Sequence, residues 1–260
     1  MLYFLRKLRR KDMRNSKYVK YAIGEIFLVV TGILIALAIN NWNQRRLSRI
    51  EEKKLLENIS VDFKEAVRTL GSLNKRRDES ILNFQMLIEA LSMGNTSDTK
   101  HLDSLLGKSI FTPTYNGKNS SLSIIINSGK INLLKNESLK SMLLKWPQQV
   151  EDMTEGELDA KKLTYNTWVP LISSYTSTND WFVNGEFSNV LPFRKRKTSV
   201  KKNYKGLFED DQFENIISLL ELLYISGKLE TEGLINQAEK IIGAIANEYP
   251  NLNTTDPSTS

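Results

Sequence analysis

This chain of 260 residues predicts an all-α protein, with one N-terminal transmembrane helix continuing into an extracytoplasmic helical bundle. Three observations carry that reading. From Ala22 to Ile39 the only ionisable side chain is Glu25, and these eighteen residues at about 1.5 Å each make roughly 27 Å of helix, the thickness of bilayer hydrocarbon. From Asn43 to Met93 apolar residues recur at three- to four-residue steps with no proline between them, the period of a helix with one buried face. From Asp211 to about Tyr249 the same period returns.

Charge sets the orientation. The net charge of +6 suggests nucleic acid at first sight, but eight basic residues against one acid lie within residues 1–20, while the other 240 carry 28 basic and 29 acidic groups. The basic excess belongs to the membrane flank, so no nucleic-acid partner is expected. Basic flanks stay cytoplasmic, and the far flank (Arg45, Arg46, Arg49, Lys53, Lys54) is diluted by Glu51, Glu52 and Glu57. The N-terminus is therefore expected inside, and the folded part in the periplasm of a cell with two membranes. Ala36-Leu37-Ala38 also fits a signal-peptide cleavage site, but the apolar run exceeds a usual signal core, so an uncleaved anchor is expected. There are no cysteines and hence no disulfide framework.

Tyr21-Ala22-Ile23-Gly24-Glu25-Ile26, Gly32-Ile33-Leu34-Ile35-Ala36-Leu37 and Ile39-Asn40-Asn41-Trp42-Asn43 together resemble the signature of an uncharacterised Bacteroidota inner-membrane family that carries a domain of unknown function. A looser likeness covers Ser128-Gly129-Lys130-Ile131, Lys135 to Leu139, and Trp146-Pro147. The resemblance implies a single-pass anchor with a mainly helical extracytoplasmic domain, and brings no activity or functional residues. Such proteins usually have a polar residue, often Gln, where this chain has Ala38, and that difference creates the A-x-A sequence.

The expected organisation is a basic cytoplasmic segment (1–20), the span (21–43), the helical domain (44–250) and a polar tail (251–260). Leu2, Phe4, Leu5 and Leu8 can lie on the membrane surface while the neighbouring cations meet headgroups. Within the span, Glu25, Val29, Gly32, Ala36, Asn40 and Asn43 share one face. Gly32 and Ala36 allow close helix approach, which makes Glu25, Gly32, Ala36 and Asn40 a candidate packing face for a second copy or another membrane protein. Glu25 alone is also accommodated by snorkelling to the headgroups or pairing with a nearby lysine.

Beyond the span, Leu47, Ile50, Leu55, Ile59, Phe63, Val67, Leu70, Leu73, Ile81, Phe84, Ile88 and Leu91 mark one helix face, with a bend expected near Gly71 and a cap at Gly94. A short helix follows over Leu102–Ile110, then a loop over Phe111–Tyr115. Ser121–Asn127 reads as strand by β-branching, but Ser120 and Gly129 as caps favour a helix. Asn136 caps the next helix, with Glu137 in its first turn, and Pro147 is expected to kink or interrupt it. Val150 to about Tyr175 reads as helix with Leu158, Leu163, Trp168 and Leu171 inside. Ser173–Glu209 reads as irregular, and Asp210 or Asp211 starts the last helix.

The chemistry-bearing residues offer little. One histidine, His101, cannot form a zinc cluster and is expected to be exposed. No nucleophile–base pair, phosphate loop or EF-hand spacing is present, so neither catalysis, a cofactor nor a metal is expected. Glu151, Asp152, Glu155, Glu157 and Asp159 read as a solvated helix face. Arg194, Lys195, Arg196, Lys197, Lys201, Lys202 and Lys205 read as a mobile loop, or as a strip that docks an anionic partner. The functional expectation is a membrane-anchored periplasmic adaptor or scaffold; the runner-up is a sensor-like ligand-binding bundle that relays to a separate membrane partner. The two differ in a cavity. A sensor surrounds one with polar or aromatic side chains, whereas an adaptor is filled solid and exposes an apolar patch.

Overall fold

The computed structural model describes residues 2–94, 96–117, 120–185 and 196–250, with the backbone alone for residues 2–17. Every regular element among the described residues is helical: α1 (Leu2–Ser92), α2 (Thr99–Ser109), α3 (Ser120–Asn127), a 3-10 turn (Lys130–Leu133), α4 (Glu137–Leu163), a π turn (Thr164–Trp168), α5 (Val169–Tyr175), α6 (Thr178–Asn184), α7 (Tyr204–Phe208) and α8 (Asp211–Glu248). The β reading of Ser121–Asn127 is excluded. By contacts the chain divides into two units, Met1–Lys54 and Leu55–Ser260.

The first unit is helix from Leu2 onward, and one stretch of it is long and apolar enough to cross a membrane. Among the described residues of that stretch the apolar side chains are not buried: Phe27, Leu28 and Ile35 are each more than half exposed. A helix that is apolar on all sides has no solvated face of its own, which is the composition expected in lipid. Leu47 and Ile50, read from periodicity as part of a buried stripe, are exposed. The side-chain expectations for Leu2, Phe4, Leu5 and Leu8, and the polar tail 251–260, lie outside the described residues.

The second unit packs around two apolar clusters. One joins Leu56, Phe63, Leu70 and Leu73 of α1 to Leu122 and Ile125 of α3, Leu143 and Trp146 of α4, and Leu234, Ile241 and Ile245 of α8. The other joins Phe84 and Leu87 of α1 to Leu105 and Leu106 of α2, Trp168, Ile172 and Trp181, Tyr204 and Leu207 of α7, and Phe213, Ile217 and Leu220 of α8. The helix passes Gly71 unbroken, with Leu70 and Leu73 buried on either side.

Local signals set most ends. Asn136 accepts from the Leu139 N–H at 3.0 Å and Asp210 from the Gln212 N–H at 2.9 Å, satisfying first-turn donors. Asp98 does the same for His101, itself exposed. Gly94 (φ 58°) and Gly129 (φ 71°) adopt left-handed backbone where helices end.

Three expectations are corrected. Pro147 does not interrupt α4, which runs through it; the residue faces solvent while Trp146 beside it is fully buried. Leu158 is exposed, because Met153, Glu157 and Ala160 occupy the inner phase of α4 and Leu158 lies one position, about 100°, away. Ser173–Glu209 is not irregular throughout: α6 and α7 form there, nucleated by Trp181, Tyr204 and Leu207 entering the second cluster. Phe187 and Phe193 lie outside the described residues.

Candidate binding cleft beside a buried ion pair

The two apolar clusters leave a polar layer between them. On α1, Leu73 belongs to the first and Phe84 to the second, and Arg77 lies between. On α4, Met153 and Ala160 flank Glu157 in the same way; on α8, Tyr224 and Leu234 flank Gly227 and Thr231. Arg77 and Glu157 are both nearly buried and pair at 2.5 Å. Arg77 also donates to the Gly227 carbonyl and the Thr231 hydroxyl. The guanidinium lies against Gly227, whose missing side chain makes room for it: a Cβ there would meet the guanidinium carbon at 3.2 Å. That contact explains a glycine in the middle of α8, where alanine is otherwise the better helix former.

Glu157 does a second job. Its carboxylate accepts the Tyr115 backbone N–H at 2.9 Å. Tyr224, edge-on to Phe84 at 5.2 Å, donates its hydroxyl to the Phe111 carbonyl at 2.9 Å. The 111–117 loop is thus pinned at Phe111 by Tyr224 of the second cluster and at Tyr115 by Glu157 of the polar layer. Burial pushes the Glu157 carboxyl above the usual glutamate range, although the Tyr115 N–H, Arg77 and Arg76 pull it back. Burial also lowers Arg77 and raises the Tyr224 phenol. The solvated-face reading of the acidic cluster therefore fails at Glu157 and holds for Glu151, Asp152, Glu155 and Asp159, all exposed.

The pinned loop forms one wall of a cleft of about 420 Å³. The opposite wall is α1, through Arg76, Glu79, Ser80 and Asn83 at i, i+3, i+4 and i+7, one stripe of the helix. Lys108 closes it from the end of α2, and Phe111, Thr112, Pro113, Thr114 and Asn116 face it from the loop. Asn83 is 5 % exposed; its amide nitrogen donates to the Leu105 carbonyl at 3.0 Å, which fixes its orientation and leaves its oxygen without a partner among the described residues. Arg76, Glu79 and Lys108 make no ion pair among the described residues, though Arg76 acts at longer range on Glu157.

The basic strip is placed in part. Arg194 and Lys195 lie outside the described residues. Arg196, Lys197 and Lys201 are exposed, and Lys205 pairs loosely with Glu209 at 3.6 Å. Lys202 turns inward to Asp103 at 2.8 Å and Asp180 at 2.7 Å. Asp103 is fully buried and accepts further from the Tyr204 hydroxyl and from Asn184 at 2.9 Å. Backbone bonds add to this: Asn179 donates to the Arg196 carbonyl at 2.9 Å, and the Asn203 N–H to the Tyr175 carbonyl at 2.8 Å. Residues 196–203 are tacked onto α5 and α6 rather than loose. The span-face residues Glu25, Gly32, Ala36 and Asn40 share the exposed first unit, with open space at Gly32 where a Cβ would go.

Replacing Asp103 with alanine removes three donors' acceptor, and a loss of about 1.5–3 kcal/mol is expected, with faster tryptic cleavage after Lys197 and Lys201. Burial pulls Lys202 down, but its bonds to Asp103 and Asp180 outweigh that and hold it above its ordinary 10.5. Because the folded-state value is the higher one, this contribution is complete below the ordinary value and is lost as pH rises through the folded one. The segment is therefore expected to open only in strong alkali, which cleavage between residues 196 and 203 by an alkali-stable protease of broad specificity checks.

Sequence reasoning missed Arg77, Glu157, Asp103 and the cleft. The one available signal was an Arg inside the buried period of α1, at the step after Leu73. Among the described residues no cluster of His, Asp and Glu could hold a metal. A family model described as a family of unknown function (DUF6090) matches residues 25–224. No curated protein and no solved structure matches.

Proposed function

The chain belongs to DUF6090, a family of unknown function, and from that premise we propose a non-catalytic, ligand-binding protein of the cell envelope. In this reading residues 21–43 anchor it in the inner membrane, residues 1–20 stay in the cytoplasm, and the helical domain (44–250) stands in the periplasm. Binding, and any relay to a separate membrane partner, falls to the cleft. The observation that carries the reading is a cavity of about 420 Å³ lined by the buried Asn83 and by Arg76, Glu79 and Lys108, which make no ion pair among the described residues. Ligand sites are commonly cavities of this size with a few convergent polar groups. The test is native mass spectrometry of the full-length protein in mild detergent after exposure to an envelope small-molecule fraction. A bound species that disappears in Lys108→Glu is expected; no bound species overturns the reading. A reporter fused after Ser260 that proves cytosolic, or release by carbonate, overturns the anchor.

The adaptor reading rests on a different observation. Asp78–Lys228 and Gln85–Glu221 cross-link α1 and α8, and between those rungs Leu82 and Ile225 are exposed, with Met86, Leu222 and Leu229 beside them. The occupant proposed for this ridge is a second copy: the face of Glu25, Gly32, Ala36 and Asn40 suits close pairing of spans, and once two spans pair, each domain is tethered to the other, which raises its effective concentration to roughly millimolar. Since the chain has no cysteine, Leu222→Cys gives a clean background. A disulfide-linked dimer in membranes is expected, and a monomer under oxidation rules the second copy out.

A further inference from the structure

We propose that the cleft takes a short zwitterionic peptide of two to three residues, bound extended; this rests on the ligand-binding reading above. The first argument is direction and length. The chain is fixed beside α1 at three points: Leu105 bonds Asn83, Phe111 bonds Tyr224 beside Phe84, and Tyr115 bonds Glu157 beside Arg77. The loop therefore runs antiparallel to α1, from the level of Asn83 towards Arg77. The stripe from Arg76 to Asn83 is about 10.5 Å long at 1.5 Å per residue. Three residues of extended chain, at about 3.3 Å each, match it.

The second argument is the inventory of donors and acceptors. Arg76 and Lys108 are cations without an ion-pair partner among the described residues, and each suits a carboxylate. The Glu79 carboxylate only accepts, so it suits an N–H donor such as an ammonium group. A simple anion leaves Glu79 unanswered. A neutral sugar can hydrogen-bond to all three charged side chains but neutralises none of them. A peptide with free ends neutralises both kinds of charge, while Pro113 offers apolar contact to small side chains.

The experiment is isothermal titration of the full-length protein in mild detergent with tri-alanine, N-acetyl-tri-alanine, tri-alanine amide and maltotriose. Tri-alanine is expected to bind, with capping of either end weakening it at least tenfold. Glu79→Gln should abolish the penalty for N-acetylation, and Lys108→Gln or Arg76→Gln the penalty for amidation; these side chains make no ion pair among the described residues, so the variants are expected to fold, which their circular dichroism checks. Equal binding of capped and free peptides, preference for maltotriose, or no peptide binding while an envelope small molecule still binds overturns the peptide proposal and leaves the ligand-binding reading standing. If neither the peptides nor any envelope small molecule binds, both fall.

Discussion

Arg77→Met lowers the stability of the helical unit by about 3–5 kcal/mol, the cost of leaving one charge of a buried pair without its partner. Glu157 stays in place because Tyr115 holds it, so the carboxylate is stranded between two apolar clusters. The loss should depend on pH in a definite direction. Burial already raises Glu157, and Arg77 is one of the groups pulling it back; without that cation its folded-state value rises further. A raised carboxyl takes up a proton on folding, so stability falls as pH rises from the unfolded value through the folded one. The gap between Arg77→Met and the wild type is therefore wide at pH 8 and narrows towards pH 5. Adding Glu157→Gln, which keeps an acceptor for the Tyr115 N–H but carries no charge, should recover a large part of the loss. Urea unfolding of the full-length protein followed by circular dichroism reads all three. A double variant no better than Arg77→Met would show that packing of the guanidinium on Gly227, and not the stranded charge, sets the cost.

Trp168→Ala costs about 3–5 kcal/mol through the cavity it leaves. Trp168 is fully buried, packs on Phe213 at 5.2 Å, and donates its indole N–H to Ser109 at 2.7 Å. It also ends the π turn, where the wider turn moves the inward phase of the chain from Ala160 through Thr164 to Trp168 and Ile172. Trp168→Phe keeps most of the volume and loses the hydrogen bond, so a penalty of about 1 kcal/mol is expected. Equal losses for the two variants would remove the cavity argument.

Much of the fold is legible in the residues because its signals are local. Asn136, Asp210, Gly94 and Gly129 announce helix ends through their own backbone chemistry, and the apolar period of α1 and α8 needs no partner to be seen. What escapes is what depends on distant chain. Glu157 sits among four exposed acids and looks like them; only Arg77, 80 residues earlier, and Tyr115 make it different. Asp103 is ordinary until Lys202 and Tyr204, about a hundred residues on, surround it. Leu158 misleads because side-chain type and helical phase disagree, and phase wins once Trp146, Met153 and Ala160 are committed. Helices α6 and α7 are seven and five residues long, too short to stand without tertiary packing. The cleft has no sequence signature because its walls meet only when the 111–117 loop is drawn along α1.

The charged layer around Arg77 divides the helical unit into two greasy compartments that share three through-going helices but few side chains. Such a partition is expected to weaken cooperativity, with the joint between the halves as the natural breaking line. A loop fastened to that joint feels both halves. An opening of the seam is therefore expected to move that loop without disturbing either oily interior.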